Sequence, residues 1–123
     1  MYDKPCPFCN PENIVLSNDL AFAIFDIYPV NQGHLLIIPK RNVSDFFDTK
    51  NEEREAINQL LEQGKTLLEE RYSPDGYNIG INCGETAGQT IFHVHVHLIP
   101  RYKGDMENPR GGVRGVIPEK RIY

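Results

Sequence analysis

Apolar residues change their spacing several times along the chain, and each change marks an element. Ile14-Val15-Leu16 is a short apolar run closed by Ser17-Asn18-Asp19, and Leu20 to Phe25 resumes as the return strand of a hairpin. Ile27 to Gly33 is a loop by its Pro, Asn and Gly content, and His34-Leu35-Leu36-Ile37-Ile38-Pro39 is a nearly continuous apolar strand. Between Asn51 and Tyr72 the positions Ala56, Ile57, Leu60, Leu61, Leu67 and Leu68 follow helical spacing, and Thr49 with Glu52 matches a capping box. Ser73-Pro74-Asp75-Gly76 ends that helix, and Tyr77 to Asn82 alternates as another strand. His93-Val94-His95-Val96-His97-Leu98 alternates strictly, which predicts a strand with three imidazoles on one face and aliphatics on the other. Residues 103–123 have no period and carry Gly104, Pro109, Gly111, Gly112, Gly115 and Pro118, so they read as an irregular tail that docks on the rest. The expected class is α+β: mainly antiparallel strands with one long helix, in a single domain over residues 1–123 whose core spans about 6–102.

Composition narrows the function classes. The chain has 123 residues, 40% of them hydrophobic and 24% charged, which is ordinary for a globular domain, and no apolar run approaches the length of a membrane-spanning helix. Met1-Tyr2-Asp3-Lys4-Pro5 leads to Cys6 without an apolar leader, so a cytoplasmic location is expected. A net charge of −4 argues against nucleic acid as a partner, since that binding depends on neutralising many phosphates. Three cysteines cannot form a closed disulfide set, and Cys6-Pro7-Phe8-Cys9 in an intracellular setting points to metal or redox chemistry.

The candidate chemistry is concentrated. Three of the four histidines fall within five positions, and the fourth, His34, sits at a loop-to-strand junction. Just upstream, Gly84 and Gly88 belong to a loop able to turn backbone N–H groups inward as an anion nest, with Thr86, Gln89 and Thr90 as further donors. An anion beside several imidazoles suggests phosphate. The rival from the same residues is a divalent cation held by the histidines with a position open for water, which would make a metal-dependent hydrolase.

His93-Val94-His95-Val96-His97-Leu98-Ile99 resembles the signature of the histidine triad family of nucleotide hydrolases and transferases, in which histidines alternate with apolar residues. Asn82, Gly84, Gly88 and Gln89 precede it in the family's spacing, and Gly33-His34-Leu35-Leu36-Ile37-Ile38-Pro39-Lys40 reinforces the match. The resemblance implies a five-stranded antiparallel sheet with one long helix, the sheet extended by pairing as a homodimer. It implies that His95 attacks the α-phosphorus of a nucleotide and carries a covalent nucleotidyl intermediate, with His93, His97 and Gln89 in the catalytic set. By the same resemblance His34 and His97 contact phosphate, Asn82 and the Gln89-Thr90 region hold the α-phosphate and leaving side, Asp26 bonds the ribose hydroxyls, and Phe8 and Ile27 form the base pocket. No cofactor is implied for the chemistry. The resemblance also implies a structural zinc held by Cys6, Cys9 and His93, with Asn42 standing where members carrying this pair have a fourth ligand. The tail resembles the diadenosine-polyphosphate hydrolase branch, which makes a dinucleoside polyphosphate the expected substrate. A nucleoside phosphoramidate on the same site is the alternative, and a non-catalytic nucleotide-binding module is the alternative from another class.

Overall fold

The computed structural model describes residues 6–123, so the reading of Met1 to Pro5 lies outside it. Leu35–Pro39 (β3) is buried at every position because it is an inner strand covered on both faces, which is what its unbroken apolar run requires. It pairs antiparallel with Ala21–Phe25 (β2) on one side and Val96–Arg101 (β5) on the other. Ile14–Ser17 (β1) pairs with β2 and Gly76–Ile81 (β4) with β5, giving one antiparallel sheet in the order β1-β2-β3-β5-β4. The expected five strands and single long helix are those observed.

Period-two alternation sends side chains to two different layers. Ala21, Ala23, Ile37 and Val96 face Asn51–Tyr72 (α1) and pack with its Ala56, Ile57 and Leu60, while Leu35 and Leu98 pack with Leu68 further along. Each fully buried Leu or Ile in that layer contributes roughly 1.5–3 kcal/mol relative to leaving it in water. Gly64 lets the helix come close: a Cβ there would stand 3.1 Å from both Leu35 Cδ1 and Leu98 Cδ2. The alternate residues Phe22, Leu36 and Ile38 turn to the face away from the helix, where Phe8 covers them. The sheet therefore has a second, smaller apolar layer, and the histidines lie beside it.

The helix spans the residues expected, but its N-terminal lock differs. Lys50, not Thr49, is the N-cap, and its N–H donates to the Glu53 carboxylate at 2.8 Å. Glu53 is buried because Arg41 pairs with it through Nε at 3.0 Å and Nη2 at 2.9 Å, so a partner outside the helix chooses Glu53 over Glu52. Two further differences concern irregular segments. β5 begins only at Val96: the Val94 N–H is taken by the Val43 carbonyl at 2.8 Å, which holds residues 93–95 off the ladder, so His97 alone of the three histidines lies in the strand. The tail contains two 3-10 turns, Gly112–Val116 and Pro118–Lys120. Arg121 organises it by donating from Nη1 to the carbonyls of Asn108 at 2.6 Å and Arg110 at 2.7 Å. Among the described residues no helix is long and apolar enough to cross a membrane.

Candidate active site

His97, in β5, stands opposite Leu36 of β3 on the sheet face away from the helix, and His34 enters from the loop before β3. That loop closes on itself through Asp26 N–H to His34 O at 2.9 Å and His34 N–H to Asn31 O at 3.1 Å. Gly33 turns it with φ +93, where a Cβ would also strike Leu68 Cδ2 at 2.9 Å. The partners then assign the protons. Val30 N–H donates to His34 Nδ1 at 3.0 Å, so the His34 proton is on Nε2, which stands 2.9 Å from His97 Nδ1 and 3.6 Å from Asp26 Oδ2. His97 Nδ1 is thus an acceptor and its Nε2 carries the N–H.

Burial keeps these rings neutral. It lowers His34, with the Asp26 carboxylate opposing it, and lowers His97 to about 4, where the neighbouring His95 and His34 add to the effect of burial. His95 packs against His97 with ring centroids 5.2 Å apart, and its Nδ1–H donates to the His93 carbonyl at 3.0 Å. That bond fixes the tautomer and leaves Nε2 with its lone pair.

His95 and His97 form one end of a cavity of about 490 Å³. Asn82, Thr90, Asp26, Phe8 and Ile27, the substrate-binding candidates of the sequence, also line it. The remaining sequence candidates, His34, His93 and Gln89, stand behind the wall and do not line the cavity. His34 is buried, with Nδ1 bonded to Val30 N–H and Nε2 to His97 Nδ1, and does not line the cavity. His93 is 1% exposed, with its ring turned from the cavity, and meets His95 through its carbonyl. Gln89, 3% exposed, spends its whole amide on the backbone: Oε1 accepts from Gly84 N–H at 2.8 Å, and Nε2 donates to Ser44 O at 2.7 Å and Ile91 O at 3.1 Å. Part of the glycine loop is tied up in the same way: the N–H groups of Ala87, Gly88 and Gln89 bond to the Gly84 and Glu85 carbonyls and are not available to an anion nest.

Sequence reasoning missed much of the far wall. Pro7, Asn10, Pro11, Glu12, Asn13 and Tyr28 line the cavity, together with Ile24 and Leu36 from the sheet. The strand residues had a signal, since they alternate with helix-facing neighbours. The loop residues had only turn chemistry.

Behind His95, Cys6 Sγ and Cys9 Sγ lie 3.2 and 3.7 Å from His93 Nδ1. His93 Nε2–H donates to the Pro39 carbonyl at 2.7 Å, so Nδ1 presents its lone pair to the two sulfurs. The hydrogen bond that the Cys9 S–H donates to Cys6, then burial, push the Cys9 thiol up to about 11. Donors bound to zinc at 2.0–2.3 Å in a tetrahedron stand roughly 3.5 Å apart, so these three fit the ion. Asn42 is exposed on the loop after β3 and the converging set is Cys6, Cys9 and His93. A second cluster, Asp26, His34 and His97, also converges, but hydrogen bonds already occupy both His34 nitrogens. The divided orientation of the histidines, one ring behind the wall and two at it, does not make the single three-histidine metal centre considered above.

Known proteins are similar to this chain in sequence and in fold. The HIT domain matches residues 8–104. A 16.1 kDa HIT-like protein from Mycoplasma pneumoniae is 37% identical over 109 residues, covering 84% of this chain and 76% of that protein. The bis(5'-adenosyl)-triphosphatase of Dictyostelium discoideum is 39% identical over 95 residues, 77% of this chain and 64% of the relative's length. This chain thus spans just under two thirds of that enzyme. The crystal structure of a Zn-bound histidine triad family protein from Mycobacterium smegmatis superposes with a TM-score of 0.75 at 34% identity, covering 84% of this chain and 79% of that one. The alternating histidines, two of them at one end of a cavity, the ordered five-stranded sheet and these matches converge: the chain belongs to the HIT domain family.

Proposed function

We propose that the protein hydrolyses a dinucleoside polyphosphate at its α-phosphorus, with His95 as nucleophile. The observation that carries this reading is the bond from His95 Nδ1–H to the His93 carbonyl, because it leaves Nε2 unprotonated at the cavity. Nε2 forms the nitrogen–phosphorus bond as the phosphorus–oxygen bond to the second nucleotide breaks. The departing group leaves with the electron pair as a phosphate anion and needs no proton near neutral pH. Positive charge then sits on the His95 ring, where the His93 carbonyl dipole stabilises it. Water attacks the same phosphorus, gives its proton to solvent and releases neutral imidazole.

The surrounding residues take distinct parts. His97 Nε2–H and the Asn82 amide donate to the non-bridging oxygens, and Thr90 offers a hydroxyl on the same side. Asp26 accepts from the ribose hydroxyls with Oδ2, its Oδ1 being held by Tyr28 N–H at 2.9 Å. Phe8 and Ile27 flank the base. His34, His93 and Gln89 position these groups from behind. The substrate class is supported by the Dictyostelium relative's name and by a cavity of about 490 Å³, roomy enough for one nucleotide with an open side for the second. Cys6, Cys9 and His93 would hold a zinc ion that ties the N-terminal loop to the segment bearing His95.

Diadenosine triphosphate is the test substrate, in labelled water and with His95→Ala alongside. Wild type is expected to yield an adenylyl adduct on His95 when quenched without acid, and the alanine variant to lose about 10⁴-fold or more in turnover. Turnover retained in the variant, with wild type stopped by a chelator, assigns the reaction to a metal instead.

A further inference from the structure

We propose that Cys6 and Cys9 are a reversible oxidation site, closing to an intramolecular disulfide that displaces Phe8 and weakens nucleotide binding in the cavity. The backbone already favours closure. Cys9 N–H donates to the Cys6 carbonyl at 3.3 Å, closing a turn across the pair. Cα atoms three residues apart in such a turn lie within about 7 Å, and a disulfide spans roughly 4.4–6.8 Å. The two sulfurs and His93 Nδ1 already lie within 4.8 Å of one another. Cys9 is exposed and Cys6 half-buried, so a small oxidant reaches the pair, and neither is bonded to the third cysteine, Cys83.

What sits inside the closed ring makes the site consequential. Phe8 is 5% exposed, packs with Phe22, Leu36 and Ile38, and meets His95 edge-on with centroids 5.2 Å apart. In the thiol form both sulfurs turn toward His93 Nδ1. A disulfide has no S–H to donate to His93 Nδ1, and its sulfurs must close to about 2.05 Å at a dihedral near 90°, which draws the two cysteines together around Phe8. The buried Nδ1 loses its donor, the short loop around Phe8 tightens, and the adjoining cavity wall at Pro7, Asn10 and Pro11 moves with it. Zinc and the disulfide compete for the same sulfurs, so metal bound there protects the pair.

The chemistry balances with a low-molecular-weight disulfide as oxidant. The Cys6 thiolate attacks it, forming a mixed disulfide and expelling one small thiol. The second cysteine attacks the protein sulfur of that mixed disulfide and expels the other. The two protein thiols lose two electrons and two protons, and the oxidant becomes two thiols.

The test uses the full chain carrying Cys83→Ser, freed of metal and equilibrated with mixtures of reduced and oxidised glutathione. Intact mass reads the modification and calorimetry reads the Kd for adenosine monophosphate. The expected result is a loss of about 2 Da together with a Kd raised about three- to tenfold, both reversed by dithiothreitol. Cys6→Ser and Cys9→Ser, each in that background, should show neither change. A stable mixed disulfide with no 2 Da loss overturns the proposal, as does a 2 Da loss that leaves the Kd unmoved. The binding half rests on the nucleotide reading of the cavity. Failure of the reduced protein to bind adenosine monophosphate overturns that reading and this half with it, while the mass shift still decides whether the disulfide forms.

Discussion

Replacing Gln89 with leucine separates a residue that touches substrate from one that builds the site. Leucine nearly matches glutamine in volume but removes all three side-chain bonds, leaving the Gly84 N–H, the Ser44 carbonyl and the Ile91 carbonyl without the amide. Each net hydrogen bond is worth about 0.5–1.5 kcal/mol, and water can reach part of Gly84 and Ser44, so the summed cost is about 2–4 kcal/mol. Against a total stability of about 5–15 kcal/mol for a domain, that is large. Urea unfolding of wild type and Gln89→Leu measures it, with amide exchange at Gly84 as the local readout. The glycine loop should exchange much faster in the variant even where the rest of the protein remains folded. A variant as stable as wild type, with slow exchange at Gly84 and lost turnover, would refute the reasoning and return Gln89 to the substrate.

Two further outcomes follow from packing and charge. Gly64→Ala gains about 1 kcal/mol of helix propensity but puts a methyl 3.1 Å from Leu35 and Leu98, an overpacking cost of about 1–3 kcal/mol. The expected net is a loss of about 1 kcal/mol by urea titration, and a stabilised variant contradicts the close approach of helix and sheet. For pH, the folded protein holds His97 at about 4 against an ordinary 6.5, so the unfolded chain binds more protons between those values. Stability therefore falls as pH drops from about 6.5 toward 4, by about 2–3 kcal/mol from His97 alone. Unfolding at pH 7.5 and 4.5 should show a shallower decline in His97→Asn than in wild type, and equal declines would remove His97 as a source.

The regular parts of the fold were legible because their signals are local. The all-apolar run of β3, the helical spacing from Ala56 to Leu68 and the turn residues at Ser73-Pro74 each determine their own element. What sequence could not settle was decided by partners far along the chain. Thr49 with Glu52 and Lys50 with Glu53 both have the separation of a capping box, and only Arg41 distinguishes them by drawing Glu53 inward. Alternation put His93, His95 and His97 on one side of an extended segment. The ring that turns away does so because Cys6, 87 residues earlier, and the Pro39 carbonyl receive it. His34 and Gln89 are chemically suited to phosphate, and residue type carries no information about which groups their atoms are already bonded to. The 3-10 turns of the tail, three and five residues long, are too short to establish a period.

The strand order has a consequence for how the protein is made. β5, the last of these five strands to be synthesised, is inserted between β3 and β4, and His97 meets His34 across 63 residues of chain. On the ribosome, therefore, β1, β2 and β3 can pair early, but β3 keeps an open edge until residues 96–101 leave the exit tunnel. Throughout that interval the nascent chain exposes an aliphatic strand suited to wrong pairing, the kind of transient edge that draws aggregation or chaperones. Chains stalled before Val96 should be cut readily by protease near β3 while those stalled well beyond Arg101 resist, and equal resistance at both lengths would show that the early strands are protected without β5.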